Sequence, residues 1–187
     1  MREKRALRRE LFARVRALTP EERALRSSAI RRLLGANEAF QEARCVFSFL
    51  ALPGEPDLTP LAAASSGKRW AFPRVNDEER LTFHETKGLE EVRAGSHGIL
   101  EPDPSRHPIT GGTEAQLILV PGVGFDPRTG TRLGRGRGHY DRFLAETLAA
   151  NPRVLLVGVA FAVQLTDLVP EPHDIPVHRV LTEAGWS

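Results

Sequence analysis

Near-continuous apolar runs at residues 46–50, 117–120 and 154–160, separated by stretches of helical spacing, constrain the fold more than any other feature of this chain. A strand that is apolar at almost every position is buried on both faces, as in a parallel sheet covered by helices on each side. Further strands are expected at residues 68–72, at 81–84 in antiparallel sense, and at 177–182 along an edge. Leu7, Leu11, Val15 and Leu18 recur at helical spacing. Thr19-Pro20-Glu21-Glu22 then supplies an N-cap, a proline at N1 and an acid at N3 for a second helix that stops at Gly35. Thr59-Pro60 opens a short helix and residues 138–148 a longer one, whereas residues 94–113, rich in Gly, Pro and Ser, read mostly as loop. The expected architecture is α/β: a three-layer α/β/α, Rossmann-like fold with a mostly parallel central sheet, residues 1–187 forming one domain. In such sheets ligands sit beyond the carboxyl ends of the strands, which brings Pro53-Gly54-Glu55, Pro73-Arg74 and the segment after Val120 to a common edge.

That last segment carries the chemistry. Leu119-Val120-Pro121-Gly122-Val123-Gly124-Phe125-Asp126 leads to Leu133-Gly134-Arg135-Gly136-Arg137-Gly138-His139-Tyr140-Asp141, a strand passing through a glycine and arginine loop into a helix start. Glycines let backbone N–H groups approach an anion closely, and the helix start adds unpaired donors and partial positive charge. Arg132, Arg135 and Arg137 offer planar forks suited to phosphate oxygens. Asp141 supplies a carboxylate where a divalent cation would accompany a polyphosphate. The loop lacks the Gly-Lys-Ser/Thr of a Walker A motif, and its third glycine, Gly138, comes one residue too early for a dinucleotide fingerprint. A plain glycine-rich turn is the competing reading.

The first helix holds an anomaly. Lys4 falls within the apolar stripe of Leu7, Leu11 and Val15, and Arg8 lies at its edge, whereas Arg2, Arg5, Arg9 and Arg16 point away. Either Lys4 snorkels to water from a frayed end, or Lys4 and Arg8 approach bound phosphates. Residues 1–16 carry seven Lys/Arg against two Asp/Glu, although the whole chain has a net charge of only +2, which makes no general case for nucleic acid. Cys45, the only cysteine, excludes an internal disulfide framework and a cysteine zinc site; its apolar neighbours suggest a small core residue. No run is long and apolar enough to span a membrane, and the charged start of the chain is unlike a secretory signal. A cytoplasmic protein is expected. Trp70, Phe72 and Phe125 are either core residues or walls for a flat heterocycle, and the scattered His84, His97 and His107 are expected mostly at the surface.

Over residues 117–144 the order of residues closely resembles the signature of the 5-formyltetrahydrofolate cyclo-ligase family, a Pro-Gly-x-x-Phe-Asp strand end followed by a Leu-Gly-x-Gly-x-Gly-Tyr-Tyr-Asp loop; weaker matches extend from Lys4 to Thr182. The resemblance implies a scaffold related to the sugar-phosphate isomerase/CoA-transferase type and ATP- and Mg²⁺-dependent cyclisation of 5-formyltetrahydrofolate to 5,10-methenyltetrahydrofolate, with release of ADP and phosphate. It implies ATP contacts from Lys4, Arg8, Arg132, Gly134, Arg135, Gly136, Arg137, Gly138, His139 and Tyr140, with Arg135 and Arg137 stabilising the transferring phosphoryl group. Glu55 would bind the pterin, with Leu50 and His139 lining its pocket, and Asp141 and Asp174 would position Mg²⁺. Glu55 alone reads as a solvated acid, and His173-Asp174 alone as a turn. The chain departs from the pattern at His139, where the family has Tyr, and at His178, where it often has Asp. The enzyme would act as a monomer on a small molecule, without nucleic acid or membrane. A sugar-phosphate isomerase-like enzyme and a nucleotide- or RNA-binding module without turnover are the competing classes.

Overall fold

The computed structural model describes residues 4–86, 91–95 and 100–187. Its strands are β1 (Cys45–Phe47), β2 (Arg69–Val75), β3 (Leu81–Thr86), β4 (Val92–Ala94), β5 (Leu100–Pro102), β6 (Leu117–Pro121), β7 (Gly124–Phe125), β8 (Arg132–Leu133), β9 (Leu155–Val159), β10 (Arg179–Thr182) and β11 (Gly185–Trp186). The helices are α1 (Lys4–Arg16), α2 (Pro20–Gly35), α3 (Glu38–Glu42), α4 (Thr59–Ala64) and α5 (His139–Ala150). The central sheet runs β11-β10-β9-β6-β1-β2-β3. Its five inner strands are parallel, and β3 and β11 close the edges in antiparallel sense.

Alternation along the inner strands builds two apolar layers. Val46, Leu117, Leu119, Val157, Val159 and Leu181 face α1–α4, packing with Val15, Ile30, Leu34 and Phe40. Cys45, Phe47, Ile118, Val120, Leu156 and Val180 face the other way, where Leu144, Tyr140 and Phe143 of α5 meet them. Each fully buried Leu or Ile removes enough apolar surface to stabilise the fold by about 2 kcal/mol. Burial also pushes the Cys45 thiol up to about 11, as befits a core position.

The capping box at the start of α2 is present, with Thr19 Oγ1 accepting from Glu22 N and Glu22 accepting from Thr19 N. Several boundaries differ from expectation. The first strand stops at Phe47, although Ser48 N still bonds Ala71 O. β2 continues through Pro73 because Phe83, paired opposite it, gives its carbonyl to Thr110 N, so the pairing asks no N–H of the proline. The 177–182 strand is not an edge: β11 pairs outside β10. β4 and β5 pair antiparallel partly within the stretch read as loop, and β7 and β8 form a hairpin inside the glycine-rich segment.

The sheet order reverses at β1. From β1 the chain crosses by α4 to β2; from β6 it passes through the β7–β8 hairpin and α5 to β9, on the opposite face. The loops leaving the adjacent carboxyl ends of β1 and β6 therefore diverge over a crevice, the usual ligand position in open α/β sheets.

Candidate active site

The loop after β1 brings Glu55 to this crevice and the loop after β6 brings Arg135, and the two meet. Arg135 Nη2 donates to Glu55 Oε1 at 3.0 Å, while Glu55 Oε2 accepts from Leu52 N at 3.0 Å. The Glu55 side chain is only 10% exposed against 47% for Arg135, whose guanidinium also lies 5.5 Å from the Phe12 ring centre. Leu50, from the same loop as Glu55, is buried in the core layer under α1–α4.

α1 crosses the β7–β8 hairpin, where Leu7 and Leu11 pack with Val123 and Leu133. This contact turns the polar end of the apolar stripe toward the glycine loop. Arg8 Nε donates to Gly134 O at 2.8 Å. Lys4 Nζ reaches Glu171 at 2.9 Å and Asp174 at 3.2 Å. Partial burial works against the ammonium charge, but hydrogen bonds to Glu171 and Asp174 outweigh it and raise the pKa above the ordinary 10.5. Lys4 therefore faces the protein body, and Arg5, Arg9 and Arg16 are exposed, as the stripe predicts.

The loop itself has the left-handed turns its glycines permit, with φ of +99° at Gly136 and +67° at Gly138. Gly138 is the N-cap of α5, and no side chain among the described residues caps that first turn, which leaves its N–H groups facing the loop. Arg132 is 5% exposed and bonds Asp141 Oδ1 at 2.8 Å, and Ile175 N also donates to that oxygen at 3.5 Å. Arg132 lies 5.5 Å from the Tyr140 ring centre. The Tyr140 hydroxyl and Arg132 Nε are both buried without a hydrogen-bond partner among the described residues. Burial and the nearby Glu55 charge raise the Tyr140 pKa. Arg137 is exposed. His139 Nδ1 lies 3.2 Å from Arg142 and lines a groove of about 260 Å³ with Arg80 and Phe143.

The residues present fit a nucleotide polyphosphate with a hard cation. Arg8 from α1 bonds the Gly134 carbonyl beside Arg132 and Arg135, and two buried donor atoms there have no partner among the described residues. Asp141 Oδ2 makes no hydrogen bond among the described residues, and Asp174 Oδ1 is approached by His173 Nε2 at 3.9 Å. Each acid thus keeps an oxygen of the type Mg²⁺ prefers. Ligand atoms of Glu171, His173 and Asp174 lie within 4.8 Å of one another.

Sequence reasoning missed Glu171, a loop acid with no local signal, and Phe12, whose i+4 spacing from Arg8 would have placed it beside the loop. It also misjudged two histidines. His84 and His107 are buried, and His84 bonds His107 O through Nδ1 at 2.7 Å, which puts the hydrogen on Nδ1; His97 lies outside the described residues. Trp70, Phe72 and Phe125 belong to the core. His178 Nδ1 accepts from Leu156 N at 2.9 Å, so this departure serves the β9–β10 pairing instead of the acids.

The family model described as the 5-formyltetrahydrofolate cyclo-ligase family matches residues 1–183. The mouse 5-formyltetrahydrofolate cyclo-ligase is 32% identical, covering 96% of this chain and 93% of its own, and the Escherichia coli enzyme is 30% identical over 89% and 93%. The solution structure of Aquifex aeolicus 5,10-methenyltetrahydrofolate synthetase superposes with a TM-score of 0.84 at 30% identity, covering 98% of this chain and 91% of that one. A Mycoplasma pneumoniae 5,10-methenyltetrahydrofolate synthetase, at 18% identity, shares the fold with a TM-score of 0.77 over 97% and 99%. A strand-to-helix glycine loop overlain by a basic first helix, at the switch point of a parallel sheet, thus accompanies a match over nearly the entire length, and the chain belongs to the 5-formyltetrahydrofolate cyclo-ligase family of enzymes.

Proposed function

We propose that this protein catalyses the ATP- and Mg²⁺-dependent cyclisation of 5-formyltetrahydrofolate to 5,10-methenyltetrahydrofolate, releasing ADP and phosphate. The observation that carries the reading is the convergence of Lys4 and Arg8 from α1 with Arg132 and Arg135 from the glycine loop, next to Asp141 and Asp174. The formyl oxygen of the substrate is a poor leaving group, and transfer of the ATP γ-phosphoryl group to it supplies the missing activation. N10 then closes the ring on the activated carbon and phosphate departs.

The work left to the protein is alignment and charge neutralisation. Lys4 and Arg8 close over ATP, and Gly134, Gly136 and Gly138 bring backbone N–H groups to its phosphates with His139 and Tyr140 at the helix start. Arg132 orients Asp141 and stacks on Tyr140. Arg135 and Arg137 stabilise charge on the transferring group. Glu55 accepts hydrogen bonds from the pterin N–H groups against the wall of Leu50, with His139 at the far rim. Asp141 and Asp174 would hold Mg²⁺, which would neutralise phosphate charge. No protein nucleophile is required. We read the enzyme as a cytoplasmic monomer acting on a small molecule, without nucleic acid.

The test is the absorbance of purified protein with 5-formyltetrahydrofolate, with and without ATP and Mg²⁺. Ring closure makes a conjugated amidinium, so a new near-ultraviolet band that needs both additions is expected. Folded protein that gives no band overturns the reading. In that event a sugar-phosphate substrate or salt-sensitive nucleic-acid binding becomes the next assay.

A further inference from the structure

Glu55 and Arg135, assigned above to the two substrates, are bonded to each other. Both Glu55 carboxylate oxygens are engaged: Oε2 by Leu52 N of its own turn, and Oε1 by Arg135 from the other loop. The first bond fixes the acid in place and is compatible with a ligand. The second occupies the remaining oxygen of a carboxylate that is nine-tenths buried.

The two partners differ in their freedom to move. Arg8 holds the loop backbone at Gly134 O, so the loop is anchored. The Arg135 side chain is half exposed, flanked by Gly134 and Gly136, and rests on Phe12. It can leave Glu55 without moving the backbone. Arg135 gives Glu55 a single hydrogen bond in place of a bidentate pair, and a polyphosphate, with more charge and several acceptor oxygens, draws the guanidinium more strongly.

We propose that Arg135 couples the two substrates: ATP takes Arg135 away from Glu55 and thereby uncovers the carboxylate that receives the pterin. This rests on the reading of Glu55 as the folate acid and of the glycine loop as the phosphate site. Because coupling between two ligands is reciprocal, folate at Glu55 equally releases Arg135 for nucleotide. The consequence runs against intuition. Arg135→Gln removes a competitor for Glu55, so it strengthens folate binding in the absence of nucleotide while it weakens catalysis.

Calorimetric titration of the full chain with 5-formyltetrahydrofolate, with and without Mg²⁺ and a β,γ-methylene analogue of ATP, tests this. For the wild type the analogue is expected to tighten folate binding roughly tenfold. Arg135→Gln is expected to bind folate several-fold tighter than the wild type without nucleotide, and to gain less than about twofold from the analogue. In the reciprocal arm, Glu55→Gln binds the analogue alone more tightly than the wild type does, which keeps the test decisive should the Arg135 variant fold poorly. Folate affinity in Arg135→Gln that is equal to or weaker than wild type overturns the proposal, as does analogue affinity unchanged in Glu55→Gln. A wild type that turns over yet binds folate equally with and without the analogue overturns the coupling alone. A wild type that binds neither ligand and gives no methenyl band overturns the cyclo-ligase reading, and the coupling with it.

Discussion

Lys4 Nζ and Asp174 Oδ2 stand 170 positions apart in sequence and 3.2 Å apart in space. The pair ties the first helix to the loop before β10, and it joins a cation assigned to ATP with an acid assigned to Mg²⁺. Lys4→Gln removes the charge but keeps a polar side chain. The KM for ATP is expected to rise about tenfold, the cost of one charge-assisted contact, with a smaller change in kcat. Steady-state formation of the methenyl band at varied ATP measures both, and an unchanged KM would remove Lys4 from the nucleotide site.

Asp141 serves Arg132 as well as the proposed metal. Asp141→Asn keeps an acceptor for the guanidinium, so the variant should fold, with turnover reduced more than tenfold at limiting Mg²⁺, an effect of order 1.5–3 kcal/mol for losing a charged contact. Asp141→Ala leaves Arg132, 5% exposed, without this partner and should lose about 3 kcal/mol of stability as well. Thermal melting beside magnesium-dependent rates separates the two effects. Wild-type rates in Asp141→Asn would refute the metal role.

Gly130 lies at φ +70° in the β7–β8 hairpin, and a methyl group added there would meet the Val177 carbonyl oxygen at 2.0 Å. The clash is with backbone that is itself hydrogen-bonded, since Val177 N donates to Gly130 O. Gly130→Ala is expected to cost about 3 kcal/mol or more, a fall in Tm of about 6–12 °C for a chain of this size. Gly67→Ala, where nothing lies within 4 Å, serves as the control and should stay within about 0.5 kcal/mol.

The legibility of the chain follows its physics. The inner strands announced themselves because burial on both faces demands apolar residues throughout. The α2 start was legible because capping is local, and Lys4 because a charge in an apolar stripe needs an explanation. What escaped was set by distant partners. β11 is two residues long and is a strand only because β10 lies beside it. His84 is buried because His107 O and the Thr82 hydroxyl satisfy it, and neither partner is visible in a local pattern. The Arg135–Glu55 pair joins two loops 80 positions apart, which only the strand order brings together.

Asp126 gives a prediction for pH. Burial alone would push its carboxyl up, but N–H groups of Leu168 and Arg128 and the Arg128 charge outweigh that and hold it below the ordinary 3.8. A depressed folded pKa gives stability that is fully present above the unfolded value and is lost as pH falls through the folded one. Asp126→Asn should therefore be less stable than wild type at neutral pH by about 1–2 kcal/mol, and the gap should narrow below about pH 4. Urea midpoints at several pH values measure it, and a gap that is constant with pH would refute the ionic contribution.

Residues 185–187 do more than finish the sheet. Leu181 and Thr182 pair with β11, Val180 exchanges two hydrogen bonds with Ser187, and the Arg179 guanidinium lies 4.9 Å from the Trp186 ring centre. An inner-type strand such as β10, apolar and extended, would otherwise offer its open side to the same strand of another molecule, the first step of edge-to-edge aggregation. A three-residue segment with a cation over its aromatic ring fills that side of β10, so a short, charge-covered edge stands where a longer apolar one would otherwise be open.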